Sequence, residues 1–408
     1  MANRGIAGPV DPAARIVEVD VIRGFALFGV LLVNMYGFGA DSIAWDSTSD
    51  RLAYAVMHVV FESKSWTLFA LLFGFGFALQ LERASMRASS ALPAYLRRLT
   101  ALFALGAAHA LLFDGDILML YAELGLGLLL VRRLPARVLL TLAVALLAVF
   151  PLARLAAHEP PAGPNELKRA RAHLAKERRS DVYSVGTLAE VAADNASAIP
   201  ADPLEDLTTP ESGLAVFAMF LVGFAVGRSG RLRDLRGDSP GIVRIRAWGL
   251  GLGVGAMAVE QVLVASAGYS ALRASRAGPE LQLAGDLLFA FGTTALALGY
   301  GAALILAFQT RRGRAILAPL APVGRLGLSV YLTQTLMFTT LFYGYGFGQA
   351  FRLGPAAVTG WAAAIFVAQI FACRWWSRRF RFGPAEWLWR SATYLRWQPL
   401  RLARPASP

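Results

Sequence analysis

One short stretch, "HALLFDGDILMLYAELG", places a histidine among three acids between His109 and Gly125. An imidazole beside a carboxylate in a partly dry site makes a general base with its orienter. Asp116 and Glu123 are the carboxylates placed to orient His109. The Asp114–Gly115 pair marks a sharp turn, so His109 on one helix and Glu123 on the next fall at similar heights. The plainer alternative is a histidine satisfied by a backbone carbonyl. A second stretch, "DVIRGFALFGVLLVNM" from Asp20 to Met35, sets an acid, a base and an amide in an apolar run. Arg23 and Asn34 are eleven positions apart, which nearly eclipses them on a helix. Asn34 then lies about 16 Å further along than Arg23, at 1.5 Å per residue. An Asp20–Arg23 pair and an Asn34 amide serve either to lock helices together or to line a cavity. In a cavity, Asn34 is placed to donate to a developing oxyanion.

Other candidates lie at the ends of apolar runs. Lys64 is one of three lysines in a chain with 37 arginines. It either anchors an anion or snorkels to the interface, and snorkelling is the expectation. Arg97, Arg98 and Arg325, with Arg23, are the guanidiniums suited to phosphate. "GRLGLSVYLTQT" puts Arg325 and Ser329 one turn apart, with Tyr331 and Gln334 on a neighbouring face. Near the C-terminus, Glu386 and Arg390 form an i,i+4 pair in "GPAEWLWRSATY", read as a docked amphipathic segment of structural use.

These residues need elements to hold them. The chain is 56% hydrophobic and 16% charged over 408 residues, with a mean hydropathy of +0.50. Apolar runs near the spanning length of about 20 residues recur throughout. The expected fold is all-α, a polytopic helical membrane bundle. Ten spans are predicted, at about 17–39, 66–82, 97–113, 116–131, 136–155, 213–227, 243–267, 284–307, 323–343 and 355–374. The piece 52–61 reads as re-entrant or interfacial. With the N-terminus inside, the short inner segments hold 27 Lys/Arg and the short outer ones 5. The positive-inside rule therefore predicts that both termini are cytoplasmic. Three units follow: a membrane half over 1–155, an outer loop over 156–212, and a second half over 213–408 with an amphipathic cytoplasmic tail. Residues 1–18 have no apolar signal-peptide core, so the first apolar helix is read as a retained span.

The net charge of +13 would suggest nucleic acid in a soluble protein. Here the arginines collect in loops on one membrane side, and no nucleic-acid partner is expected. One cysteine, Cys373, permits no intrachain disulfide, and the four histidines have no zinc spacing. No metal is expected. In the long loop, "NELKRARAHLAKERRSD" reads as a charged helix. The loop is open to two uses, a lid over an outer site or a solvated cap. "NAS" at Asn195 matches a weak glycosylation pattern. Gly223 and Gly227, and the run Gly249, Gly251, Gly253 and Gly255, point to close helix packing.

Together these stretches resemble the YeiB-like membrane family (domain of unknown function 418). "DVIRGFALFGVLLVN", "KSWTLFALLFGFGF", "HALLFDGDILMLYAELG", "GRLGLSVYLTQT" and "GPAEWLWRSATY" resemble its signatures in order, over nearly the entire chain. Departures are Ser65 before Trp66, Ser329 and Val330 where Thr and Asn are usual, and Glu123 at an apolar position. Asp20, Arg23, Gly24, Phe25 and Asn34 also resemble the first span of transmembrane acyltransferases such as heparan-alpha-glucosaminide N-acetyltransferase. The resemblance implies transfer of an acyl group from cytoplasmic acyl-CoA to an acceptor across the membrane. Arg23, Arg97, Arg98 and Arg325 would hold the donor. His109, Asn34, Asp116 and Glu123 would act in catalysis. Lys64, Tyr121, Ser329, Tyr331 and Gln334 would face substrate, while Asp20, Glu386 and Arg390 support the frame. No resident cofactor is expected, only acyl-CoA as donor substrate. Expected partners are the lipid bilayer, a small-molecule, lipid or glycan acceptor, and a second copy of the chain in a homodimer. The expected location is the bacterial cytoplasmic (inner) membrane. A proton-coupled transporter and a non-catalytic membrane partner are the alternatives.

Overall fold

The computed structural model describes residues 15–38, 47–86, 91–156, 180–199, 213–230, 239–267 and 279–402. The charged run at 165–179 lies outside them. Among the described residues every named element is a helix, and the one β-bridge joins Phe380 to Arg401.

The first half contains α1 (Val17–Tyr36), α2 (Thr48–Val56), α3 (Lys64–Met86), α4 (Ala91–Ala110), α5 (Leu118–Val131) and α6 (Ala136–Ala156). A π-turn, Met57–Phe61, and Ser63 at φ 63° interrupt the helix between α2 and α3. Then come α7 (Leu188–Ala198), α8 (Gly213–Arg228), α9 (Ser239–Ala267) and α10 (Pro279–Gln309). The chain closes with α11 (Arg311–Leu317), α12 (Leu320–Arg325), α13 (Gly327–Phe342), α14 (Pro355–Ser377) and α15 (Pro384–Tyr394).

Each of the ten predicted spans falls on a helix, although the ninth is broken at Leu326 into α12 and α13. Among the described residues five segments are long and apolar enough to cross a membrane: Thr48–Glu82, Ala136–Ala153, Pro240–Leu263, Glu280–Gln309 and Pro355–Ser377. α5 and α8 are shorter apolar helices. α9 leaves Trp248, Leu252, Val254, Val259 and Val262 exposed. A helix that is apolar on its uncovered face suits hydrocarbon rather than water.

α1 is the central element. Leu27, Leu31, Leu32 and Met35 pack into the larger core with Phe338 and Phe342 of α13, while Val19, Ile22 and Ala26 pack with Leu68, Leu72 and Phe75 of α3. Its crossing with α12 runs through Gly24 and Gly324. A Cβ on either would overlap a backbone carbonyl of the other helix. Small residues let membrane helices approach this closely, where packing rather than water exclusion drives association. The predicted glycine seams are of this kind in part. Gly223 and Gly227 abut α3, and Gly249 and Gly253 abut α10, but Gly251 and Gly255 face open space.

The C-terminal segment is tied to the bundle. Glu386 is buried and accepts from the amides of Leu328 at 2.7 Å and Ser329 at 3.1 Å, and from the Ser329 hydroxyl at 2.5 Å. Its carboxylate therefore caps the N-terminus of α13, where the helix dipole favours negative charge. Arg390 lies over the ring of Phe382, 4.9 Å from its centroid.

Part of the long loop also docks. The Tyr183 hydroxyl donates to Asn195 at 2.9 Å, and Asn195 donates to the Leu111 carbonyl at 3.2 Å. Asn195 is 1% exposed, so its amide is spent on packing and is closed to a glycan. Tyr183 stacks on Tyr343 at 4.6 Å and packs near Phe38. Within the described part of the loop, 180–199, Tyr183, Val191 and Asn195 are buried while Val185, Leu188 and Glu190 stay exposed.

Candidate functional site

α4 ends at Ala110, and the turn through 111–117 carries the chain into α5. That turn brings Asp116 back onto His109. His109 Nδ1 is 2.7 Å from Asp116 Oδ1, and the other Asp116 oxygen accepts the Met119 amide at 2.8 Å. His109 Nε2 is 2.7 Å from Thr335 Oγ1 on α13. With Asp116 accepting from Nδ1–H, Nε2 is left as the basic nitrogen and accepts from the Thr335 hydroxyl. The side chains of His109 and Asp116 are both 3% exposed. Glu123 is half-buried on α5, and both ring nitrogens of His109 are taken by other groups. Thr335 is the residue sequence reasoning missed. Its signal was its place one helical turn beyond Tyr331, whose ring lies 4.9 Å from that of His109.

Two cavities lie beside neighbours of this centre, Tyr331 for one and Ile117 for the other; His109, Asp116 and Thr335 line neither. The larger, of about 210 Å³, has Arg15, Arg23, Arg98, Arg325 and Arg390 in its wall, together with Glu386. Tyr121 and Tyr331 are also among its lining residues. The arginines are held by specific partners. Arg23 donates to Asp20 at 3.1 Å and to the Gly324 carbonyl at 3.3 Å, and Arg15 donates to Asp20 at 2.5 Å. Arg325 donates to the Arg381 carbonyl at 2.8 Å. Arg98 lies 4.0 Å over the ring of Trp389, whose indole donates to the Arg98 carbonyl. The Asp20–Arg23 pair expected from spacing is present, and Arg15 makes it a three-residue group.

The second cavity, of about 190 Å³, is lined by Asn34 of α1, Ser65 and Trp66 of α3, and Tyr121 of α5, with aliphatic side chains around them. Tyr121 therefore lines both cavities, and its hydroxyl donates to the Trp66 carbonyl at 3.3 Å.

The remaining candidates sit elsewhere. Arg97 turns away and donates to the Thr393 carbonyl at 2.8 Å. Ser329 is engaged by Glu386 and by the Ala385 amide. Gln334 is buried between helices, donating to the Leu27 carbonyl at 3.3 Å and to Gln369 at 3.0 Å. Lys64 does not snorkel. It is 3% exposed, and its ammonium donates to the His58 carbonyl at 3.1 Å. Lys64 follows directly on the break at Ser63, and the π-turn supplies the acceptor. His58 itself pairs with Glu62 and lies beside Gln261.

The family model described as "Protein of unknown function (DUF418)" matches residues 226–396. The chain is 32% identical over 409 residues to "Uncharacterized protein YxaH" of Bacillus subtilis (strain 168), covering 95% of this chain and 96% of that one. It is 32% identical over 418 residues to "Uncharacterized protein YeiB" of Escherichia coli (strain K12), covering 96% and 98%. It is also 26% identical over 413 residues to "Uncharacterized 39.9 kDa protein in amylase 3'region" of Bacillus acidopullulyticus, covering 97% and 100%. No solved structure matches the chain. Two relatives at this identity, aligned over almost their whole length, place the chain in the DUF418 family.

Proposed function

We propose that the chain transfers an acyl group from cytoplasmic acyl-CoA to an acceptor on the far side of the bacterial cytoplasmic membrane. In this reading all ten predicted spans cross the bilayer, with both termini inside, as the Lys/Arg asymmetry directs. The observation that carries it is the pair of cavities both lined by Tyr121, one with five arginines and Glu386 in its wall and the other with no charged side chain among the described residues that line it.

The arginine rim suits the phosphates of a CoA, because guanidinium forks match phosphate oxygens. The acyl-pantetheine arm then lies along the cavity toward Tyr121 and Tyr331. His109 is the general base, oriented by Asp116, with Nε2 held by the Thr335 hydroxyl. The acceptor's nucleophilic atom attacks the thioester carbonyl carbon and gives up its proton to this base. The carbon–sulfur bond breaks, and the CoA thiolate leaves and takes up that proton. Asn34 stands on the acceptor side to donate to the oxyanion.

The test is binding of acyl-CoA to the purified protein. Wild type is expected to bind, and Arg23→Ala to bind more weakly. Absence of binding by any common acyl-CoA sinks the reading. Substrate uptake into proteoliposomes without a covalent product would instead favour a carrier, which buried acid–histidine pairs also serve.

A further inference from the structure

We infer that Gly76 of α3 sets the donor range of the arginine cavity: its bare Cα is the slot that admits the apolar acyl group. The inference rests on the acyl-transfer reading for naming that group, and on the cavity itself for a ligand that joins an anion to an apolar tail.

The cavity has walls of two kinds. α1, α4, α12 and α15 each supply an arginine, and Arg15, just before α1, adds the fifth. Against them stand one carboxylate in the wall, Glu386, and Asp20, which holds Arg15 and Arg23. The positive excess calls for an anion. α3 brings no charge. Its contribution is Phe69, Leu72, Phe73, Gly76, Phe77 and Gln80, spaced so as to share one helical face. At about 100° per residue these six span about 140°, with Gly76 near the middle of the arc.

A side chain at 76 would therefore point at the cavity, and a Cβ there would have no packing neighbour within 4 Å. Gly74 is the contrast. A Cβ at 74 would overlap the Phe220 carbonyl of α8, so close helix packing requires that glycine. Packing requires nothing of the kind at 76. Glycine inside a helix weakens it relative to alanine, so Gly76 costs helix stability, and what it leaves in return is space. That space lies among Leu72, Phe73 and Phe77, and Gln80, the polar member of the face, donates to the Gly76 carbonyl at 3.2 Å. An alkyl chain gains from burial against such a wall, whereas a charged group does not.

The test measures binding of acetyl-CoA and hexanoyl-CoA, beside ethyl phosphate and hexyl phosphate, to the full chain in lipid nanodiscs. Wild type, Gly76→Ala and Gly76→Leu are compared. One buried CH2 corresponds to about fourfold in affinity. Wild type is expected to prefer the hexanoyl ester by about tenfold or more. Gly76→Leu is expected to bring that preference within about threefold, with acetyl-CoA binding near wild type. Gly76→Ala is expected to lower the preference about fourfold and to melt at a higher temperature. It carries the test if the leucine variant fails to fold. No preference in wild type overturns the role of Gly76, as do substitutions that weaken both esters equally or neither. A lower melting temperature for Gly76→Ala marks a packing glycine and overturns it too. If the alkyl phosphates follow the expected pattern while no acyl-CoA binds, the acyl-transfer reading falls, and Gly76 stands as the slot for the tail of a lipid phosphate. If neither pair binds, both fall.

Discussion

The His109 imidazole is clamped between two groups far apart in sequence, Asp116 at 2.7 Å on Nδ1 and Thr335 at 2.7 Å on Nε2. Asp116 selects the tautomer, because a carboxylate can only accept from Nδ1. An amide in its place can donate to Nδ1 and so release the wrong tautomer. Asp116→Asn is therefore expected to lower acyl-transfer turnover by about 10²- to 10⁴-fold. Binding of acyl-CoA is expected to stay within a few-fold of wild type. Turnover and binding measured on the same preparation check both halves. Thr335→Ser, which keeps the hydroxyl, should retain most activity, whereas Thr335→Val should not.

Arg97 and Arg98 are neighbours in sequence with different surroundings. Arg98 lines the arginine cavity, while Arg97 is bound to the Thr393 carbonyl. Arg98→Ala is expected to weaken acyl-CoA binding about tenfold, or about 1.4 kcal/mol. Arg97→Ala is expected to leave binding unchanged and to cost about 1 kcal/mol of stability through the lost tie. Titration calorimetry and thermal unfolding separate the two effects. The Arg98 effect should shrink as salt is raised.

Glu386 fixes the start of α13, the helix that carries Tyr331 and Thr335. Glu386→Gln keeps the size but removes the charge from a cap with three donors. A loss of about 1–3 kcal/mol is expected, read as a lower melting temperature in detergent. Activity should fall with it at temperatures below melting, since α13 positions both site residues.

The docked loop has its own pH dependence. At the start of α7, the Thr187 backbone amide and hydroxyl both donate to Glu190 and hold its carboxyl below the usual carboxylate range. A depressed carboxyl contributes stability that is complete above its unfolded pKa and is lost as pH falls through the lowered folded value. Acidification through that range should loosen α7 and the Tyr183–Asn195 contact. Limited proteolysis of 180–199 should speed up there in wild type. In Glu190→Gln it should already be fast at neutral pH and change little with acid.

The sequence made most of the helices legible because an apolar run is commonly one helix long, the run broken at Leu326 being an exception, and the spacing of Asp20 and Arg23 on α1 made their pairing readable. Gly223 and Gly227 were readable as a seam for the same local reason. The contacts of His109 were not. Counting heights along two helices pointed to Glu123, but the turn at 111–117, not the helix register, delivers the carboxylate, and it is that of Asp116. Thr335 comes from 226 positions away, and the helix that Glu386 caps from 57 and 58. Such pairings are set by how helices cross, which one chain's periodicity does not encode. Lys64 was misread because its acceptor, the His58 carbonyl, is presented by a π-turn, and nothing in the sequence announces that turn.

Tyr121 has one more consequence. A bacterial membrane stores energy as a proton gradient, and a continuous file of water through any protein would drain it. Tyr121 is among the lining residues of both cavities. In the proposed transfer an acyl carbonyl would have that one residue to pass, and the same side chain would be what keeps the two cavities from joining in a file of water.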